Sequence, residues 1–213
     1  MLSHATDLGE AEISVLAAAG SSIAHNPTAV FSQLGRCPVP ELLEAGVNVA
    51  LGSDATAPDR PSDMFRQMFG LTRYHRALRR DPALIPPGLA LEMATVRAAE
   101  ALGMGGEVGS LTPGLLADVI VLDGARPHLT PLIHPVHQIV YYASGSDVSH
   151  VVVGGEVLVD DGVVTSVDVA EILAEAREEH SAAIARSGLE ALLGDRDGTW
   201  GAIRYPEGSG LGS

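Results

Sequence analysis

Three residues able to ligate a metal or move a proton end short apolar or small-residue segments within the first 54 positions: His4, His25 and Asp54. Asp54 closes the run Val47-Asn48-Val49-Ala50-Leu51-Gly52-Ser53-Asp54, and a loop containing Pro58 and Pro61 follows it. In a parallel α/β barrel, catalytic side chains sit where strands give way to loops. A carboxylate placed there can ligate a metal and take a proton from metal-bound water. The competing reading of Asp54 is a turn former or a helix cap. Neutral imidazoles combined with a carboxylate suit a zinc or iron site with an open coordination position. Taken singly, each histidine also reads as a satisfied structural residue.

The elements that would carry these residues alternate in type. Glu10 to Ala19 has Ile13, Leu16 and Ala17 at helical spacing, with Gly20 as a stop. Ser22 to His25 reads as a short strand broken by Asn26-Pro27-Thr28, Pro40 to Ala45 as a short helix, and Val47 to Leu51 as the next strand. Ser62 is placed to cap a helix running through Met64, Phe65, Met68 and Leu71 towards Leu78. The cluster Arg76, Arg79 and Arg80 suits that helix's C-terminus. Two further helices are expected over about 89–94 and 96–102. This order is the signature of parallel α/β structure. From Val108 to Val164 the pattern turns mostly to strand: Ala117 to Leu122, then Val148 to Val153 and Glu156 to Val159 flanking the hairpin signal Gly154-Gly155. Val136 to Ala143 fits helix or strand, and Asp160-Asp161-Gly162 reads as a turn. A charged helix follows over about 169–185. The glycine-rich end, about 195–213, lacks periodicity, with Trp200 and Tyr205 as its candidate anchors.

Composition narrows the function. The chain has 213 residues, of which 46% are hydrophobic, enough for a sizeable core, and a formal net charge of −14. That charge argues against nucleic acid and against anionic membranes as partners. No apolar run approaches the roughly 20 residues of a membrane span. The single cysteine, Cys37, excludes an internal disulfide and a cysteine-rich zinc site. A cytoplasmic location is the expectation.

Ordered motifs then carry a resemblance. They are Ser3-His4-Ala5-Thr6-Asp7-Leu8, Ala24-His25-Asn26-Pro27-Thr28, Pro40-Glu41-Leu42-Leu43-Glu44-Ala45-Gly46-Val47 and Leu51-Gly52-Ser53-Asp54. After them come Met93-Ala94-Thr95, Ala98-Ala99-Glu100-Ala101-Leu102-Gly103, Gly109-Ser110-Leu111-Thr112-Pro113-Gly114 and Ala117-Asp118-Val119-Ile120-Val121-Leu122. In this order, over residues 3–165, the chain resembles the C-terminal half of an amidohydrolase-superfamily metal-dependent hydrolase. The branch is that of cytosine deaminase-like enzymes, adenosine-derivative deaminases and triazine chlorohydrolases. The resemblance implies an α/β fold: the C-terminal part of a TIM-like (β/α)8 barrel over 1–105, part of a small β-sandwich over 106–166, and a C-terminal helix with a loose tail over 167–213. It implies metal-assisted hydrolysis of a non-peptide C–N bond in a small cyclic substrate.

The resemblance also implies roles. His4 matches the histidine ending the sixth barrel strand, which polarises the substrate and stabilises charge on the tetrahedral intermediate; in binuclear relatives it is a metal ligand. Asp54 matches the aspartate ending the eighth strand, which ligates the metal and shuttles a proton to the leaving group. His25 and Asn26, with Pro27, match a seventh-strand motif that shapes the substrate pocket. Arg60, in the loop after Asp54, is a candidate grip for a substrate carboxylate, against the reading of a surface Asp–Arg pair. The complete enzyme is expected to bind a divalent metal, zinc first and iron second.

Departures from the family pattern set a second expectation. No His-x-His pair occurs anywhere in the chain, and no fifth-strand histidine can be placed; His75, His128, His134, His137 and His180 fall in helices or in the β-rich region. Two candidate ligands do not satisfy a catalytic metal that takes at least three. About three strands would also leave sheet edges unpaired. The alternative is therefore a catalytically inactive fragment or assembly subunit without a metal centre of its own. A missing N-terminal half or a homo-oligomeric partner would then supply the rest.

Overall fold

The computed structural model describes residues 1–56 and 61–188. The chain forms two compact units, Met1–Thr165 and a second beginning at Ser166.

The first unit opens with three parallel strands, β1 (Leu2–Ser3), β2 (Ser22–His25) and β3 (Asn48–Leu51), in that spatial order. Each successive strand is reached through helix: α1 (Glu10–Ala18) leads to β2. A short α2 (Pro27–Ala29) continues into a π-helical turn (Val30–Leu34), and α3 (Val39–Glu44) then leads to β3. Asn26-Pro27, read from the sequence only as a break, starts that helical stretch; Pro at the first helical position needs no hydrogen bond for its missing N–H. After β3 come α4 (Met64–Arg79), α5 (Pro87–Ala94) and α6 (Val96–Ala101). The cap of α4 is Asp63 rather than Ser62: its Oδ1 accepts from the Phe65 and Arg66 backbone N–H at 2.8 and 3.3 Å.

The core lies between the strands and these helices. Ile23, Val39, Leu42, Val49, Leu71 and Met93 are all fully enclosed. Each such side chain contributes about 1.5–3 kcal/mol through removal from water. Strand alternation decides which residues enter this layer: Ile23 and Val49 face it, while Ala24 and Ala50, paired across the sheet, face the other way.

A four-stranded antiparallel sheet follows: β4 (Val119–Leu122), β5 (Val148–Val153), β6 (Glu156–Asp160) and β7 (Val163–Val164), in that order. Gly154 and Gly155 turn β5 into β6, and Asp161-Gly162 turn β6 into β7. Both turns use positive φ angles, as their residue types suggested. The ambiguous segment before β5 is helix, α7 (Pro135–Tyr141), which buries Val140. In the second unit, α8 (Val169–Ser187) is capped by Asp168, whose Oδ1 accepts from Ala170 and Glu171 N–H. No helix among the described residues is long and apolar enough to cross a membrane.

Candidate functional site

Three strand ends lie level at one edge of the parallel sheet. His4 N–H donates to Ala24 O at 3.0 Å, carrying the ladder one residue past β1, and Gly52 N–H donates to His25 O at 2.9 Å, doing the same past β3. The chain turns sharply at both places. His4 has φ 64°, Ala5 50° and Asp54 60°, a region uncommon for residues with a β-carbon. Strain of this kind costs about 1 kcal/mol or more per residue and persists only where surrounding contacts enforce it. One such contact is visible after β1. Asp7 N–H donates to Arg36 O at 2.7 Å and Arg36 N–H to Asp7 Oδ1 at 3.3 Å, clasping the β1 loop to the segment before α3. Gly35, at φ 98°, leaves room for this clasp, since a β-carbon there would meet Asp7 Oδ2 at 2.6 Å.

The result is a close approach of His4 and Asp54, fifty positions apart in the chain and carried by strands that do not touch each other. His4 Nε2 lies 3.8 Å from Asp54 Oδ2, and both side chains remain partly open to solvent, at 30% and 25%. Asp54 Oδ1 accepts from the Ala55 N–H at 2.7 Å, leaving Oδ2 on the side towards His4. Between them, at the end of β2, stands Asn26. Its Nδ2 lies 3.0 Å from Ser3 Oγ, 3.2 Å from His4 Nδ1 and 3.4 Å from Ala24 O. Gly52 makes space for it, because a β-carbon at 52 would overlap Asn26 Oδ1.

His25 does not join this group. The pleat turns it with Ile23 into the helical layer, where it is fully buried with its ring centroid 5.6 Å from that of His75 and 6.2 Å from that of Phe31. Period-2 alternation sends Asn26, not His25, to the His4–Asp54 side, so the structure places the expected pocket residue His25 in the helical layer. Neither His25 nor His75 has a hydrogen-bond partner for its ring nitrogens among the described residues. Burial, then the neighbouring His75 and His4, lowers the His25 pKa to about 3. Burial, then the charge of Arg36, lowers that of His75 to about 4. Both imidazoles are therefore neutral at physiological pH. Arg60 lies outside the described residues, as do Trp200 and Tyr205.

Three contributors escaped the sequence reading. Ser3 and Gly52 touch or accommodate Asn26, and nothing in their local sequence signals a contact across strands. His75, set aside as part of an arginine-rich helix, packs beneath the site against His25.

Residues 1–158 match the pattern of the Amidohydrolase family. The chain belongs to the amidohydrolase family. It is 40% identical over 175 residues to a 5-methylthioadenosine/S-adenosylhomocysteine deaminase of Syntrophobacter fumaroxidans, covering 82% of this chain and 40% of that protein. Among solved structures it is similar to an adenosine deaminase from Xanthomonas campestris with bound zinc. There the TM-score is 0.81 at 31% identity, over 85% of this chain and 42% of the other. It is similar too to a zinc-complexed atrazine chlorohydrolase from Arthrobacter aurescens TC1, with TM-score 0.70 at 27% identity, over 83% and 39% of the two chains. This amidohydrolase chain thus spans about two fifths of the length of the curated relatives it matches.

The zinc in those neighbours raises the question of fit. A catalytic zinc takes three protein ligands. Here His4 and Asp54 converge, and among the described residues no group of three or more histidines, cysteines or acidic residues could hold a metal ion. The described residues fit one part of such a centre and not the whole.

Proposed function

We propose that this chain carries the His4–Asp54 half of a hydrolytic active site that removes an amino group from an adenosine derivative. The convergence of His4 Nε2 and Asp54 Oδ2 at 3.8 Å, from strand ends flanking β2, is the observation that carries the reading. The kinship with deaminases of modified adenosines favours a small purine nucleoside as substrate. In this reading the three parallel strands are the last three of a (β/α)8 barrel, residues 1–105 are its C-terminal part, and 106–166 belong to a small β-sandwich. A polypeptide pairing with the open edge of β1 supplies the remaining ligands.

A divalent metal, zinc by kinship, would supply an activated water. Asp54 accepts a proton from the attacking water at a carboxylate oxygen and returns it to the departing amine, so that the C–N bond breaks with ammonia as product. His4, beside Asp54, stabilises the negative charge that develops on the ring during attack. The partial exposure of both side chains is consistent with a ligand reaching them. The second reading is a non-catalytic assembly subunit, and the lack of a three-donor cluster among the described residues favours it for this chain alone.

Two measurements test the proposal. Calorimetric zinc titration of the purified chain, with Asp54→Asn as control, shows whether the chain or its oligomer assembles a site. Loss of the adenine absorbance of 5′-methylthioadenosine, S-adenosylhomocysteine and adenosine is then followed with the complete enzyme. Asp54→Asn is expected to abolish turnover while the fold is retained. An Asp54→Asn enzyme with full turnover overturns the proposal.

A further inference from the structure

The contacts of the Asn26 amide bear on which nitrogen of His4 carries its proton. Ala24 O is a backbone carbonyl and can only accept, so the end of the Asn26 side chain facing it at 3.4 Å is the NH2 group. The same nitrogen faces Ser3 Oγ at 3.0 Å and His4 Nδ1 at 3.2 Å. An amide nitrogen has hydrogens and no free lone pair, so His4 Nδ1 must present a lone pair to it. In a neutral imidazole the proton then resides on Nε2, the nitrogen 3.8 Å from Asp54 Oδ2. Turning the Asn26 amide over would set Oδ1 against the Ala24 carbonyl oxygen, two acceptors facing each other with no hydrogen between them.

We propose that Asn26 is a positioning residue that holds His4 as an Nε2–H donor. This rests on the hydrolase reading above and narrows it. A bare Nε2 would put the proton of the neutral ring on Nδ1, and two donors would then meet at 3.2 Å. With Nε2–H fixed, His4 is suited to donate to charge developing on a substrate. The residue shaping the site at the end of β2 is Asn26, and its effect passes through His4 rather than through direct contact with the reacting atoms.

The test is the tautomer itself. The 213-residue chain is labelled with nitrogen-15 in its histidines, and long-range proton–nitrogen correlation spectra are recorded in alkaline buffer, where imidazoles are neutral. His4→Gln assigns the His4 signals. The wild-type chain is expected to show a bare Nδ1 and a protonated Nε2, with the Nε2–H form in roughly tenfold excess or more. Asn26→Asp, which accepts where Asn26 donates, is expected to place a proton on Nδ1. Asn26→Leu, which does neither, is expected to relax His4 towards the mixture seen in free imidazole. A protonated Nδ1 in the wild-type chain overturns the proposal whether or not the variants fold, as does a bare Nδ1 in folded Asn26→Asp. A loss of stability alone would leave the tautomer unmoved. A bare Nδ1 in wild type alongside full turnover by Asp54→Asn would overturn the hydrolase reading and leave the role of Asn26 standing.

Discussion

Acid should unfold this chain through two histidines that touch no substrate. His25 and His75 are buried side by side, with pKa values lowered to about 3 and about 4 from the ordinary 6.5. In the unfolded chain both return to that ordinary value. Because the folded values lie below the unfolded ones, the unfolded state binds protons first as pH falls. The stability is complete above the unfolded value and drains away as pH drops towards the folded values. Between about pH 6 and pH 4.5 the difference approaches two protons, a slope of about 2.7 kcal/mol per pH unit. From about pH 7.5 to pH 5 each histidine loses about 2 kcal/mol, together about 4, a large part of a typical 5–15 kcal/mol total. His75→Met isolates the effect, since it keeps similar bulk and the lost ring nitrogens have no described hydrogen-bond partner. Urea midpoints measured across that range should show the variant losing about 2 kcal/mol less than wild type on acidification. Carboxylate titrations common to both proteins cancel in the comparison. Parallel pH curves for the two proteins would refute the reasoning.

Three further outcomes are expected. Gly52→Ala puts a β-carbon onto Asn26 Oδ1, so it should destabilise the chain by about 1–3 kcal/mol in urea melts and abolish turnover in the complete enzyme. Asp63→Ala removes the side-chain acceptor for Phe65 and Arg66 N–H at the start of α4 and should cost about 1 kcal/mol, read as a lower urea midpoint. Cys37 is fully buried and its thiol is pushed up to about 12, chiefly by burial, so the native chain should resist a thiol-labelling reagent that modifies the urea-unfolded chain at once.

Much of the fold was legible because its signals are local. Ser22 to His25 and the run ending at Leu51 read as strands from a few consecutive residues, and both are. The Gly154-Gly155 hairpin and the start of the charged helix at Val169 were equally readable, since turn and cap chemistry lie within a handful of positions. Where local signals conflict, the reading failed or stalled. Pro27 reads as a breaker and as a helix starter, and Val136 to Ala143 has apolar residues compatible with either period. In both places packing against the core selected helix.

For the site, residue types and their order along the chain were enough to single out His4 and Asp54 as partners and to place the chain near its family. Which neighbours those residues meet was a matter of register and pleat. Parallel pairing sets Leu2 opposite Ile23, which brings His4 within reach of an asparagine 22 residues away, and the register of β3 brings in Gly52, which leaves space for it. The alternation of the strand then sends Asn26 to the site and His25 into the helical layer beside His75. Composition and spacing act through short-range backbone preferences and so can be read from the sequence. The His4–Asn26 contact and the burial of His25 arise only when distant segments pack, because only then do hydrogen-bond partners and exclusion of water exist.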